Sequence, residues 1–502
     1  MCGIAGIWGS MDETTVKRMM GLLSHRGPDA EGIYVSPGDE GVLGHRRLSI
    51  MDPERGNQPI FSEDCSKAVI ANGEIYNFPS LLPDLSRSHS FMTASDTEAI
   101  LHLYEDHGPS AVEYLDGMYA FAIADDRNLF AVRDPIGIKP LYYGEKDGAF
   151  LFASELKALA PYCNNISEFP PGTFFHSKTG FTTFYHVPEV LPQRAPVKEY
   201  IQKLRETLEQ AVTKRLMSDV PLGAFLSGGL DSSIIAALAR KHMDKLHTFS
   251  VGVKGSNDLE AARLVSRKLD TIHHEYVLDA DEVKAKLPEI IYYLESFDQD
   301  LVRSAIPCYF TSRLAANHVK VILTGEGADE LFAGYTHYKA IPGLDSLHLE
   351  LRRSVASLHN INLQRVDRMT MAHSIEGRVP FLDLQMILLG QLIPTELKLF
   401  RPSMLEKWIL RKAFEDLLPA DIIWREKEQF DEGSGTLELL NKTLTTAMNK
   451  TESIEYRSRY PGEKLRSSEE CYYHRLFMEV FENPNPILMS VGRWSHRPLW
   501  AA

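Results

Sequence analysis

At 502 residues the chain has room for roughly two to four domains of ordinary size, each able to bury a core without disulfide or metal staples. Its 44% hydrophobic and 24% charged residues exclude wholesale disorder, and 54 basic against 68 acidic side chains leave a net charge of −14. A surface that acidic repels phosphate backbones and argues against nucleic acid as a partner, so cations for any anionic ligand must be gathered in clefts.

The chain opens Met-Cys-Gly-Ile-Ala-Gly-Ile-Trp-Gly, and Asp12 and Glu13 close the apolar run. With no basic residues ahead of it, this reads as neither signal peptide nor membrane anchor. No stretch approaches the ~18–20 apolar residues of a spanning helix, so a soluble, cytoplasmic protein is expected. Up to about residue 190, short strands are expected at 42–50, 67–71, 118–124, 128–133 and 141–143. Turn chemistry separates them, as in His25-Arg26-Gly27-Pro28-Asp29, Asp134-Pro135 and Pro170-Pro171-Gly172. With helices over 14–23 and 96–105, residues 1–190 read as an α+β domain. The five cysteines, at 2, 65, 163, 308 and 471, form no C-x-x-C pair and read as reduced thiols, with Cys2 set apart by its place.

A proline-marked stretch, 186–196, reads as a linker to a second domain, 197–502. Val197, Ile201, Leu204, Leu208 and Val212 then mark one face of a helix. Strands at 220–226, 246–253, 274–278 and 319–323 alternate with helices at 232–242, 258–269 and within 281–317. Such alternation predicts a parallel sheet that binds ligands at the carboxyl ends of its strands. The remainder reads as mainly helical.

After the strand ending at Leu226 comes Ser227-Gly228-Gly229-Leu230-Asp231-Ser232-Ser233, leading into an apolar helix. Paired glycines let backbone N–H groups approach an anion, the hydroxyls donate to phosphate oxygens, and Asp231 is suited to Mg²⁺. No Gly-Lys-Ser/Thr occurs, so this is not a Walker loop; the string resembles the pyrophosphate loop of ATP pyrophosphatases. Thr324-Gly325-Glu326-Gly327-Ala328-Asp329-Glu330 follows another strand and offers a general acid or base and a second metal ligand.

Cys2 becomes the terminal residue if the initiator Met is removed. Its own α-amine, with a pKa of about 7.7–8.0, then serves as base for its thiol. Five motifs follow in order: Cys2-Gly3-Ile4, Arg26-Gly27-Pro28-Asp29, His45-Arg46-Arg47-Leu48-Ser49-Ile50, Asn72-Gly73-Glu74-Ile75-Tyr76-Asn77 and Ser95-Asp96-Thr97-Glu98. Together they resemble the N-terminal-nucleophile glutaminase domain of class II glutamine amidotransferases, in which antiparallel sheets are sandwiched. Joined to the pyrophosphate loop, they resemble the B-type, glutamine-hydrolysing asparagine synthetase family, whose second domain is of the α/β ATP-pyrophosphatase type.

The resemblance implies that Cys2 attacks the glutamine amide, with Asn72 and Gly73 as oxyanion donors. Arg47, Leu48, Ser49 and Ile50 would then hold glutamine by its carboxylate end, and Glu74 and Asp96 by its ammonium. It assigns Leu226, Val251, Thr324 and Gly325 to adenosine and the 227–233 loop to phosphates. Arg303, Glu326, Asp329 and Lys427 fall to aspartate and the β-aspartyl-AMP intermediate, and Asp231 and Asp329 to Mg²⁺. Glutamine, aspartate and ATP are the implied substrates, and a homodimer the implied assembly. One departure stands out. Asp300-Leu301 precede Val302-Arg303 where the B-type pattern has two threonines, and an acid there is expected to disfavour aspartate. The rivals are a related amidotransferase acting on another carboxylate and an inactive glutamine- or ATP-sensing protein, which intact Cys2, Asp231 and Glu326 disfavour.

Overall fold

The computed structural model describes residues 2–38, 40–400, 403–428, 430–444 and 448–493. In the first half the strands are β1 (Gly3–Trp8), β2 (Ala30–Val35), β3 (Gly41–Arg47), β4 (Ile60–Phe61), β5 (Lys67–Ile75) and β6 (Gly117–Asp125). β7 (Asn128–Arg133), β8 (Tyr142–Lys146), β9 (Ala149–Ala153), β10 (Ile166–Glu168), β11 (Thr173–His176) and β12 (Gly180–Thr183) follow. They build two antiparallel sheets, ordered β10-β8-β9-β1-β3-β2 and β12-β11-β7-β6-β5-β4. Alternation along each strand sets the stacking. Ala68, Ile70, Ala120 and Ala122 meet Ile4, Leu43 and Phe152 between the sheets, the alanines lending little bulk. Val69, Ala71, Phe121 and Ile123 point the other way, onto the helix 96–107. Helix α1 (Glu13–Leu22) covers the opposite side with Val16, Met19 and Met20, and α2 (Asp96–His107) completes a helix–sheet–sheet–helix stack. The expected sandwich is present.

Beyond the extended segment 184–196, α3 (Val197–Lys214) buries Leu204, Leu208 and Val212 on the face expected from their spacing. The sheet that follows contains β13 (Leu222–Phe225), β14 (His247–Gly252), β15 (Ile272–Val277), β16 (Val321–Leu323) and β17 (Glu376–Arg378), ordered β15-β14-β13-β16-β17 and parallel throughout. Helices α4 (Leu230–His242), α5 (Asn257–Leu269), α6 (Ala280–Leu294), α7 (Gln299–Ala315) and α8 (Asn362–Met371) connect and flank the strands, and α9 (Ser468–Val480) packs on α6. The remainder after residue 323 is mainly helical, and β17 is the one strand that it adds to the sheet among the described residues. Its Glu-Gly-Arg sequence has no apolar signal because Arg378 satisfies Glu376 directly, Nε to Oε1 at 2.6 Å.

The two halves share one interior. Leu48, Ile50, Met118 and Ile138 pack with Leu208, Leu222 and Leu226 in a single apolar cluster. Charges cross the boundary as well. Buried Arg26 donates from Nη1 to Glu155 and to Asp367 of α8, each at 2.7 Å, and Arg368 of α8 reaches Glu155 at 3.0 Å and Glu295 at 2.8 Å. Among the described residues no helix is long and apolar enough to cross a membrane.

Candidate functional site

Cys2 sits immediately before β1, a central strand held between β3 and β9, so its backbone position is fixed by sheet pairing on both sides. Its nitrogen donates to Asn72 Oδ1 at 3.0 Å, and its carbonyl accepts from Arg26 Nε at 3.1 Å. Asn72 is buried, and its Nδ2 has no hydrogen-bond partner among the described residues. An amide oriented through its oxygen thus keeps an unspent donor on the residue that holds the Cys2 backbone. Gly73 is demanded by close packing: a Cβ there would lie 2.0 Å from the Met118 carbonyl on β6. Burial pushes the Cys2 thiol up, against the Leu48 backbone and the Arg47 charge, so the resting group is a thiol that needs a base.

Cys2, Arg47, Leu48, Ile50, Gly73, Glu74 and Asp96 line one small pocket. Ser49 is placed beside it with its N–H donated to Asp29 at 2.8 Å. The Arg47 guanidinium is less open than expected. Nη1 donates to Pro53 O and Asn57 Oδ1, and Nη2 to Met51 O and Asp52 O, so it braces the 51–57 loop. Its Nε and its positive charge remain for a ligand. Glu74 and Asp96 are both buried acids. Burial, with the Glu376 charge adding to it, pushes Asp96 up to about 6. The same burial, with Glu376 and Asp96 alongside, raises Glu74 well above the carboxylate range despite Arg378 3.5 Å away. Such a pair favours a bound cation, because each ionised acid makes the other costlier to ionise.

The second site is a cavity of about 460 Å³ at the carboxyl ends of the parallel strands. Its wall carries Leu226, Ser227, Gly229, Leu230, Asp231, Ser232, Val251, Arg303, Thr324, Gly325, Glu326, Asp329 and Lys427. Gly228 and Ser233 lie behind the wall. Gly228 has φ +73°, and a Cβ would come within 2.5 Å of Ala261, so the loop turns tightly against α5. Ser227 Oγ accepts from Gly229 N at 3.3 Å and lies 3.1 Å from Ser232 Oγ, which closes the loop over the start of α4.

Asp231 and Asp329 converge on one ammonium, Lys407 Nζ, at 2.5 and 2.6 Å. Lys427 adds a contact to Asp329 at 3.0 Å, and the two lysines overcome burial to hold Asp329 well below the carboxylate range. Two carboxylates that close on a single cationic centre are a fitting donor pair for Mg²⁺. Burial raises Glu326 even though it is paired with Arg365 of α8. Arg303 forms a two-point pair with Glu469 of α9, Nε to Oε1 at 2.9 Å and Nη2 to Oε2 at 2.5 Å. Asp300 meets Arg466 at 2.7 Å, so the unexpected acid carries its own counter-charge.

Lys407, Arg365 and the Glu376–Arg378 pair were invisible to sequence reasoning. Lys407 belongs to no motif. Arg365 stands in the run Arg365-Val366-Asp367-Arg368, whose four side chains are all buried; charged residues embedded among apolar ones were the available clue.

A glutamine amidotransferase domain model matches residues 1–205, and an asparagine synthase model matches residues 203–345 and 339–500. The chain is 40% identical to asparagine synthetase [glutamine-hydrolyzing] 3 of Arabidopsis thaliana over 96% of its own length and 87% of that protein. It is 39% identical to asparagine synthetase [glutamine-hydrolyzing] 2 of Oryza sativa subsp. japonica, covering 98% and 87%. To the probable asparagine synthetase [glutamine-hydrolyzing] of Dictyostelium discoideum it is 37% identical, over 100% and 97%. With a thiol pocket in one half, a strand-end cavity in the other, and both matched along nearly the whole chain, this protein belongs to the glutamine-hydrolysing asparagine synthetase family.

Proposed function

We propose that the chain converts aspartate, glutamine and ATP into asparagine, glutamate, AMP and diphosphate, with residues 1–190 releasing ammonia and residues 197–502 consuming it. The observation that carries this reading is Asn72: it accepts from the Cys2 nitrogen through Oδ1, and its Nδ2, without a partner among the described residues, is the donor we assign to the oxyanion. Cys2 Sγ attacks the amide carbon of glutamine and passes its proton to the α-amine that removal of Met1 exposes. Ammonia leaves, and water hydrolyses the thioester to glutamate. Glu74 and Asp96 hold the substrate ammonium, while Arg47 and the Leu48–Ile50 backbone hold the carboxylate end.

In the second site Leu226, Val251, Thr324 and Gly325 receive adenosine, and the 227–233 loop receives the phosphates. The β-carboxylate of aspartate attacks the α-phosphorus of ATP and expels diphosphate. Ammonia then displaces AMP from the acyl adenylate, with Glu326 taking the proton it sheds. Arg303 and Lys427 meet the anionic groups. Asp231 and Asp329 would hold Mg²⁺, which supplies charge neutralisation for the leaving diphosphate. We place the protein in the cytoplasm, acting as a homodimer.

The test is a product balance. With amide-labelled glutamine, label should appear in asparagine, with AMP and diphosphate in equal amounts; stoichiometric ADP would refute an adenylate. Acid dependence gives a second check. Asp96 is charged only above about 6, so the Michaelis constant for glutamine should climb as pH falls from 7 to 5, approaching about tenfold per unit for one proton. Ammonium-driven synthesis, which bypasses that pocket, should not follow the same curve. Parallel curves would remove Asp96 from substrate binding.

A further inference from the structure

Three imidazoles converge at the end of the parallel sheet away from the nucleotide cavity. His247 opens β14, His274 lies on β15, and His318 sits between α7 and β16. The register pairs Phe249 with His274, so His247 and His274 are diagonal neighbours on one face of adjacent strands. His247 Nδ1 lies 3.0 Å from His274 Nε2, with the two rings 3° from parallel. His318 stacks over His274 at a centroid distance of 3.9 Å. One nitrogen from each ring lies within 4.8 Å of the other two.

We propose that His247, His274 and His318 form a binding site for a borderline transition-metal dication, Zn²⁺ foremost, with the fourth position open to solvent. The geometry fits. Zn–N bonds of about 2.0–2.1 Å place two tetrahedral ligands about 3.3 Å apart, close to the separation already present between His247 and His274. His318 is exposed, on the short connection between α7 and β16, and is the ligand best placed to close the remaining distance. The 3.0 Å contact is a hydrogen bond between the two rings, and a bound dication would replace the proton that they share.

The second histidine cluster, Glu63, His89, His102 and Glu105, differs in mixing imidazoles with carboxylates that already engage them: His102 Nδ1 lies 2.9 Å from Glu105, and His89 Nδ1 3.6 Å from Glu63. An all-imidazole set also discriminates against Mg²⁺, which prefers oxygen donors. The site is therefore independent of the carboxylates in the cavity. Along β14, His247 lies four residues before Val251, roughly 13 Å at about 3.3 Å per residue, with the cavity-wall residue Phe249 between them and paired with His274. There the metal would tie together the amino ends of β14 and β15 and the turn ahead of β16, strands whose opposite ends carry Val251 and Thr324.

The test uses the purified full chain, Zn²⁺ alone as ligand, and excess Mg²⁺ to occupy the cavity carboxylates. Equilibrium dialysis should retain one equivalent of Zn²⁺, and Co²⁺ in its place should give the visible absorption of a four-coordinate ion. Affinity should fall at least about tenfold in H318Q and H274Q, as expected for removing a direct ligand, and stay unchanged in H89Q. The rise in melting temperature on adding Zn²⁺ should vanish in the same two variants. H318Q alters an exposed side chain, so its result stands even if H274Q folds poorly. Failure of the parent chain to hold an equivalent at micromolar Zn²⁺, retention in H318Q, or loss in H89Q would each overturn the proposal.

Discussion

Replacing Cys2 by alanine is expected to abolish asparagine formation from glutamine while synthesis from ammonium persists. Loss of an attacking side chain costs about 10⁶-fold in a hydrolase that depends on it. The structure makes the substitution unusually clean. Arg26 grips the Cys2 carbonyl and Asn72 its nitrogen, both backbone groups that alanine retains. The strand, the pocket and the Arg26 cluster should therefore stand. Glutamate release measured beside ammonium-driven asparagine formation checks this on one preparation. A variant that still hydrolyses glutamine would take Cys2 out of the mechanism, and one that loses both activities would show a structural role instead.

The second large effect is expected at Glu326. Its removal as proton acceptor should lower synthesis from either nitrogen source by about 10²–10⁴-fold while glutamine hydrolysis survives. The choice of variant follows from Arg365, whose guanidinium is nearly buried against Glu326. Alanine would strand that charge, and breaking a buried pair from one side typically costs about 3–5 kcal/mol. Glutamine keeps an acceptor for Arg365 and removes only the base. A folded E326Q enzyme that still works at a tenth of the normal rate would leave Glu326 as a structural anchor.

Much of this architecture was legible because its signals are local. The spacing from Val197 to Val212 matches α3, and strand–helix alternation announced the parallel sheet. The 227–233 string could be placed at a strand–helix junction because paired glycines and clustered hydroxyls have few other uses. What stayed hidden depends on partners distant in sequence. β17 shows no apolar alternation because its charged side chains satisfy one another and Glu74. Lys407 reaches Asp231 across 176 positions, and nothing near it in sequence hints at that contact. Arg47 shows the converse: its motif is conspicuous and it does line a pocket with Cys2, but only the folded loop reveals that most of its donors are already committed.

The crossing charges bear on how this protein can be divided. Arg26 and Glu155 belong to the first half by covalent connection, whereas Asp367, Arg368 and Glu295 belong to the second. Arg378 adds a further bond in each direction: its side chain faces Glu74, and its carbonyl accepts from Thr324 N at the edge of the strand-end cavity. Separating the halves after a cut within 186–196 would strand several of these ions at once. At about 3–5 kcal/mol for each, the total rivals the ~5–15 kcal/mol that holds a whole domain together. Neither fragment should behave as a free-standing module, although each carries its own candidate site. A graft of a foreign glutaminase onto this synthetase would have to bring matching partners for residues 367, 368 and 376–378, so the joint between the halves, more than either site, limits which recombinants can function.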